Sequence, residues 1–281
     1  MEIHSFDDLQ SWAEAFAIGE FSSMIVIGRR GLAKTTTFMN GLEKELGPSD
    51  GMVGAPWQAI AARLSAFELF RQAYLFKDKP ILIDDVDALL RDAQTVALLK
   101  SLLQDEVPRR VSWFSAAVGG ESTDIPHTFF TSSPVAILAN DIGSVNANLE
   151  AVLDRAKVIE FLPPVGAVLA QAGTWFDDEE VLRFVREWEP WIGNGRLTMR
   201  QLKHASDLRK STRVRMDWQG ELLKHWGITP GLIAASKVRM NPALKTRPAK
   251  LAEFQRFGGS SKSEMYRLLK ELETRTPEVG A

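Results

Sequence analysis

The apolar run "MIVIG" (24–28) stops at a glycine, crosses the short loop "RRGLA" (29–33), and restarts at Lys34 in a segment of helical pattern that ends at Gly47-Pro48. A strand that feeds a helix through a glycine-containing loop aims backbone N–H groups and the helix N-terminus at one spot, and that suits a polyphosphate. Phosphate loops of the form G-x-x-x-x-G-K-[ST] place the lysine on the β and γ phosphates and the following hydroxyl on Mg²⁺. Lys34 and Thr35 take those roles here, with Gly28, Arg29, Arg30, Gly31, Leu32, Ala33 and Thr36 completing the candidate nucleotide loop. Gly28 and Gly31 allow unusual dihedrals and a close backbone approach. The departure is Ala33, which stands where the pattern has glycine. One added methyl is tolerable if the residue keeps a negative φ. A chance Gly-Arg-Arg-Gly turn is the competing reading of the loop alone.

A second motif weighs against chance. "ILIDDVDALL" is an apolar strand that ends in adjacent carboxylates. P-loop enzymes use such an end, at the strand beside the loop, to hold Mg²⁺ and to orient the attacking water. Asp84 is the candidate for the metal and Asp85 for the water-activating base. An Asp pair that merely caps the next helix is a poorer account of two acids at the end of a buried strand.

The rest of the chain up to Pro164 alternates short apolar runs with amphipathic ones. Strands are predicted at "MIVIG", "WQAIAA" (57–62), "PILIDD" (80–85), "VAILAN" (135–140) and "KVIEFLPP" (157–164), and helices across "AFELFRQAYLF", with Ser65 as cap, and "AQTVALLKSLLQDE". "RRVSWFS" and "HTFFTSS" are predicted to pair as a hairpin. Strands alternating with helices predict an α/β fold, a five-stranded parallel sheet covered on both faces. From Pro164 onward only helical patterns remain, and a domain boundary is placed there.

The chain has no cysteine, which excludes disulfides and thiolate metal sites, and its four His residues lack the spacing of a helix-borne zinc site. The N-terminus has no basic start with an apolar core, and no apolar run approaches the length of a membrane span. A soluble, cytoplasmic protein that does not enter membranes is predicted.

With both motifs in register, residues 23 to about 212 resemble the AAA+ ATPase family, a branch of the P-loop NTPases, and are closest in feel to phage-type and prokaryotic members and to replication initiator or helicase-loader ATPases. "GRRGLAKT" resembles the family's phosphate loop except at Ala33, and a similar Ala-Lys occurs in minichromosome-maintenance helicases. "VAILAND" resembles the sensor 1 strand, which implies that Asn140 serves the γ-phosphate and the attacking water. "LEAVLDRAKVIEF" resembles the arginine-finger segment and implies Arg155 as the finger. "GRLTMRQLKHA" resembles the sensor 2 helix start, with Arg200 the best fit and Arg196 in reserve. The implied organisation is an N-terminal flanking helix (1–22), a nucleotide-binding α/β domain (23–163), a helical lid (164–212) and a helical C-terminal unit (213–281). ATP and Mg²⁺ are the implied ligands, ATP hydrolysis the implied activity, and a homo-oligomeric ring or arc the implied assembly, because a finger acts on a neighbour's nucleotide.

Other readings stay open at single residues. Asn140 could cap the turn after its strand, Arg155 could be a surface ion-pair residue, Arg200 could pack the lid, and Arg29 and Arg30 could be solvated. Trp113, Phe114, Phe129 and Phe130, around the insertion between hairpin strands, could stack on nucleic-acid bases or close a local core.

Partner information concentrates at the C-terminus. Residues 237–281 carry ten Lys/Arg against five Glu, a balance of +5 within a chain whose net charge is −2. "AKLAEFQRFGGSSKSEMYRLLKELE" has the layout helix, Gly-Gly turn, Ser cap, helix. That is a helix-turn-helix or winged-helix-like pattern suited to DNA, and equally a helical hairpin packed on the lid. The sequence therefore predicts an ATP-hydrolysing oligomer in DNA transactions such as replication initiation, helicase loading or DNA remodelling. A protein-remodelling AAA+ chaperone, or a slow nucleotide-dependent switch that binds a protein partner, is the alternative.

Overall fold

The structure, a computed structural model, describes residues 1–61, 64–84, 92–114, 125–140, 147–193 and 195–275. It separates into two compact units, Met1–Pro163 and Pro164–Ala281.

The first unit is built on a parallel six-stranded sheet in the order β1-β8-β2-β7-β4-β3. Its strands are β1 (Glu2–Ile3), β2 (Ser23–Ile27), β3 (Gln58–Ala61), β4 (Ile81–Asp84), β7 (Val135–Ala139) and β8 (Lys157–Phe161). The central strands read as apolar Val/Ile/Leu-rich runs because helices cover both faces, so side chains on both sides of the strand are inside except at the last residue of β2 and of β4. All five residues of β7 are buried, and Ile25, Ile83 and Ile137 stand in register across β2, β4 and β7. The sixth strand is a correction to the five predicted. β1 is only two residues long and lies just before the N-terminal helix, too short to register as a period-two pattern, yet it pairs with β8 through Glu2↔Glu160 and Ile3↔Phe161.

Helix α1 (Phe6–Ala17) starts at Ser5, whose hydroxyl accepts from the Asp8 N–H. It packs on α2 (Lys34–Leu46) at Gly41, where a Cβ would come within 2.6 Å of the Ala13 Cβ. Glycine at this crossing permits an approach that a side chain would forbid. Helix α3 (Ala66–Leu75) is capped by Ser65 as the sequence predicts, and α4 (Ala93–Leu102) by Asp92. Their buried faces join Ile25, Phe70, Ile83, Leu99 and Val135 in one core cluster. The predicted hairpin is present as β5 (Arg109–Ser112) and β6 (Thr128–Thr131), which pair antiparallel with Arg110 opposite Phe130. Residues 115–124 of its insertion lie outside the described residues. Helix α5 (Ala147–Leu153) leads into β8.

The second unit is helical among its described residues. It comprises α6 (Val165–Gly173), α7 (Glu179–Trp188), α8 (Met199–Lys210), α9 (Trp218–Trp226), α10 (Pro230–Met240), α11 (Arg247–Arg256) and α12 (Lys262–Arg275). The basic region that begins at Lys237 starts inside α10, not in a linker. The Asp178 carboxylate is buried, caps α7 by accepting from the Val181 N–H, and also accepts from the Ser206 hydroxyl and the Arg209 guanidinium of α8. No helix among the described residues is long and apolar enough to cross a membrane.

Candidate nucleotide site

All six strands of the sheet run the same way, so their C-terminal ends share one edge. Three of those ends, β2, β7 and β4, carry the residues singled out by the sequence. The acid-bearing strand is not directly beside the loop strand. β7 lies between β2 and β4 and brings Asn140 to the gap.

Lys34 is almost fully buried, and its ammonium donates to the Gly28 carbonyl, to the Arg29 carbonyl (2.9 Å) and to Asn140 Oδ1 (3.3 Å). The Thr35 hydroxyl donates to Asp84 Oδ2 at 2.6 Å. A lysine, a hydroxyl, a carboxylate and an amide from three separate segments thus converge at one end of the sheet. Asp85, the candidate base, lies outside the described residues.

The loop itself explains its own composition in part. Gly31 has φ +78, open to glycine and costly to others. Gly28 is required for a different reason from the one the motif suggests. A Cβ there would sit 2.8 Å from the Phe161 carbonyl oxygen, so β8 excludes any side chain. Leu32 is buried, while Arg29, Arg30 and Thr36 face solvent.

Ala33 does not meet the condition of a negative φ under which the extra methyl is easily tolerated. It sits at φ 56, ψ 24, in the left-handed region, at the N-cap position of α2. The backbone turns left at this residue, where the chain enters α2. Left-handed geometry costs a non-glycine residue about 1–2 kcal/mol.

Two observations test the fit of a polyphosphate and its metal. α2 starts without a capping side chain and without an acid in its first turn, as α6 does in the second unit, whereas α1, α3 and α4 of its own unit each begin at a Ser or Asp that accepts a backbone N–H. A phosphate would supply the missing acceptor. Thr35 and Asp84 offer hard oxygen atoms within hydrogen-bond distance of each other, a donor set that suits Mg²⁺ shared with phosphate and water. Among the described residues no group of three or more His, Cys, Asp or Glu could hold an ion, and Mg²⁺ bound with a nucleotide does not need one. The residues fit the pair.

Lys34, Thr35, Asp84 and Asn140 follow one another along the chain in the order that the AAA+ resemblance requires, and they meet in space. They do so on an α/β fold whose six-stranded sheet is parallel throughout. No protein-family model matches the chain, and no curated protein does. Solved structures similar to this fold include domain III of the Thermotoga maritima replication initiation protein DnaA, at 14% identity over 80% of this chain and 97% of that one, TM-score 0.44. The Aeropyrum pernix Orc1 protein in complex with DNA matches at 18% identity over 98% and 79%, TM-score 0.42. NtrX from Brucella abortus in complex with ATP matches at 15% over 95% and 67%, TM-score 0.41. TM-scores below 0.5 leave ligand and activity to the geometry.

Within the first unit one predicted residue, Arg155, stands apart from the cluster. Arg155 lies at the opposite edge of the sheet, where its carbonyl accepts from the Ser23 hydroxyl at the start of β2. Its guanidinium donates to the Ala151 carbonyl at 2.6 Å. Five residues of β2, about 16 Å of strand, separate that edge from the loop of the same chain. Arg200 belongs to the second unit. It is exposed in the first turn of α8 and lines a cavity of about 280 Å³ with Gln201, His204, Trp218 and His225. The reserve residue, Arg196, donates to the Trp226 carbonyl at 2.9 Å.

The hairpin aromatics divide. Trp113 packs with Phe67 and Phe70, and Phe129 is buried against Phe70 and Tyr74. Phe114 and Phe130 remain exposed, the former stacked on His127 with ring centroids 5.7 Å apart.

One buried cation escaped the sequence. Arg109 is 1% exposed and donates to the carbonyls of Gln104, Ser133 (2.6 Å) and Ser22 (3.0 Å), which ties the starts of β2 and β7 to the end of α4. Burial pushes its guanidinium below the usual value, opposed by the charge of Asp105. Nothing in "RRVSWFS" distinguishes it from its exposed neighbour Arg110.

Proposed function

We propose that this protein binds ATP with Mg²⁺ at the Lys34 loop, hydrolyses it as a homo-oligomer, and uses the cycle in DNA transactions. The observation that carries the nucleotide reading is the convergence of Lys34, Thr35, Asp84 and Asn140 at the uncapped start of α2.

In this reading Lys34 exchanges its loop carbonyls for the β and γ phosphates. Thr35 and Asp84 hold Mg²⁺, which when bound neutralises charge developing on the phosphates. Asn140, already at the lysine, orients the terminal phosphate and the attacking water. Asp85, next after the strand end, takes the proton of that water. Arg155 stands a strand's length from its own loop, and this supports a finger that serves the site of an adjacent copy. Arg200 is the candidate contact from the lid.

The test pairs Lys34→Ala with Asp85→Asn. Titration with a fluorescent ATP analogue should show lost binding in the first and retained binding in the second, and turnover should vanish in both. Equal turnover in wild type and Asp85→Asn would remove Asp85 from the base role. Hydrolysis indifferent to added DNA would count against the DNA reading and favour a protein partner.

A further inference from the structure

We infer that α12 is a DNA-reading helix and that its outward strip, Lys262, Ser263, Tyr266, Arg267 and Lys270, lies against duplex DNA; the inference rests on the DNA reading above.

The burial pattern selects the strip. Met265, Leu268 and Leu272, at spacings of three and four, are buried. They pack α12 against α10, where Gly231 lets the two helices close. A Cβ at Gly231 would meet Glu264 and Leu268 side-chain atoms at 2.7 and 3.2 Å. With that face committed inward, the helical period turns Lys262, Ser263, Tyr266, Arg267 and Lys270 outward, and all five are exposed. Three cations, a hydroxyl and a phenol then line the first two and a half turns, the part of a recognition helix that meets base edges and phosphates in a major groove. Glu271 pairs with Arg267 at 3.3 Å in a partly exposed i,i+4 contact that a phosphate can replace at little cost.

The turn before α12 is held rather than loose. The Ser260 N–H and hydroxyl both donate to the Glu264 carboxylate, and the Ser261 hydroxyl accepts from the Glu264 N–H. At Gly259 a Cβ would fall 2.1 Å from a Phe254 ring carbon, so the turn passes directly over the core. Beside it, Lys237 lies 4.1 Å from the Phe257 ring centroid and Arg256 5.6 Å from it, which gathers two further cations at the same turn. A rigid turn, a pre-aimed helix and positive charge on one side fit a polyanion of fixed groove geometry. Single strands are instead bound by stacking platforms, and Tyr266 is the only aromatic on this strip.

The experiment measures anisotropy of a labelled mixed-sequence duplex of about 30 base pairs with the full chain, across a salt series. The variant Lys262→Gln/Arg267→Gln/Lys270→Gln is compared with Lys77→Gln/Lys203→Gln/Lys224→Gln, an equal charge change at exposed positions elsewhere. Three lost phosphate contacts should flatten the slope of log K against log salt by about 2–3 and weaken binding about 100-fold near 0.1 M salt, while the control triple changes little. Both triples should keep the wild-type thermal transition of the helical unit, which shows that α12 still packs in each. Equal loss in the two triples would overturn the assignment to α12 while leaving DNA binding in place. Loss confined to single-stranded DNA would overturn the duplex. Wild type that binds neither form would refute the DNA reading itself.

Discussion

Ala33→Gly is a direct probe of the loop. Ala33 occupies φ 56, ψ 24, where a Cβ costs about 1–2 kcal/mol. Glycine removes that cost in the folded chain but gives back about 0.4–1 kcal/mol by freeing the unfolded chain. The net expectation is a gain of about 0.5–1 kcal/mol in the unit Met1–Pro163, or a rise of about 1–4 °C in its melting temperature. Calorimetry can follow this transition separately, since ATP should shift it and leave the helical unit's transition in place. Ala33→Val provides the opposite sign, because a β-branched side chain tolerates left-handed backbone least, and should lower the same transition by several degrees. A lower midpoint for Ala33→Gly, or no change for Ala33→Val, would refute a left-handed residue 33.

Other consequences are open to measurement. Arg109→Met leaves three buried carbonyls without their donor and should cost the first unit about 2–4 kcal/mol in urea unfolding; a loss under 1 kcal/mol would mean that the clamp contributes little. Asp178→Ala removes a cap and strands Ser206 and Arg209, so the second unit should lose about 2–3 kcal/mol. Burial acts to raise the Asp178 pKa, but the Ser206 and Arg209 hydrogen bonds outweigh it and the net shift is downward. The carboxylate's contribution is then fully present above the usual value near 3.8 and is lost as pH falls through the lower folded value, a decline that Asp178→Ala should not show. Gly28→Ala, pressed against the Phe161 carbonyl, should weaken both stability and nucleotide binding; unchanged melting would contradict the close approach of β8.

Much of this architecture could be read from residue order, for reasons that differ by element. Buried parallel strands announce themselves as apolar runs, and Ser65 announces α3 because a hydroxyl three residues before an amide is a local device. β1 was invisible because its pairing partner lies more than 150 residues away and two residues carry no period. The position of β7 between β2 and β4 follows from long-range register, which no local pattern encodes. At the site, residue types were legible while conformation was not. Ala33 showed its side chain in the sequence and hid its φ, and Arg109 looked like Arg110 until a fold surrounded it with carbonyls.

β7 also has a mechanical side. Only Ser132, Ser133 and Pro134 separate it from the hairpin strand β6, and two of them are pinned. The Ser132 N–H donates to Asp78 Oδ1, and the Ser133 hydroxyl to the Phe76 carbonyl. At the far end Asn140 touches the loop lysine. The strand is therefore a strut fixed at both ends, ladder-bonded on both flanks and packed without slack. A close-packed element transmits displacement rather than absorbing it. A push on the hairpin has about one strand's length to travel before it reaches the ammonium group of Lys34.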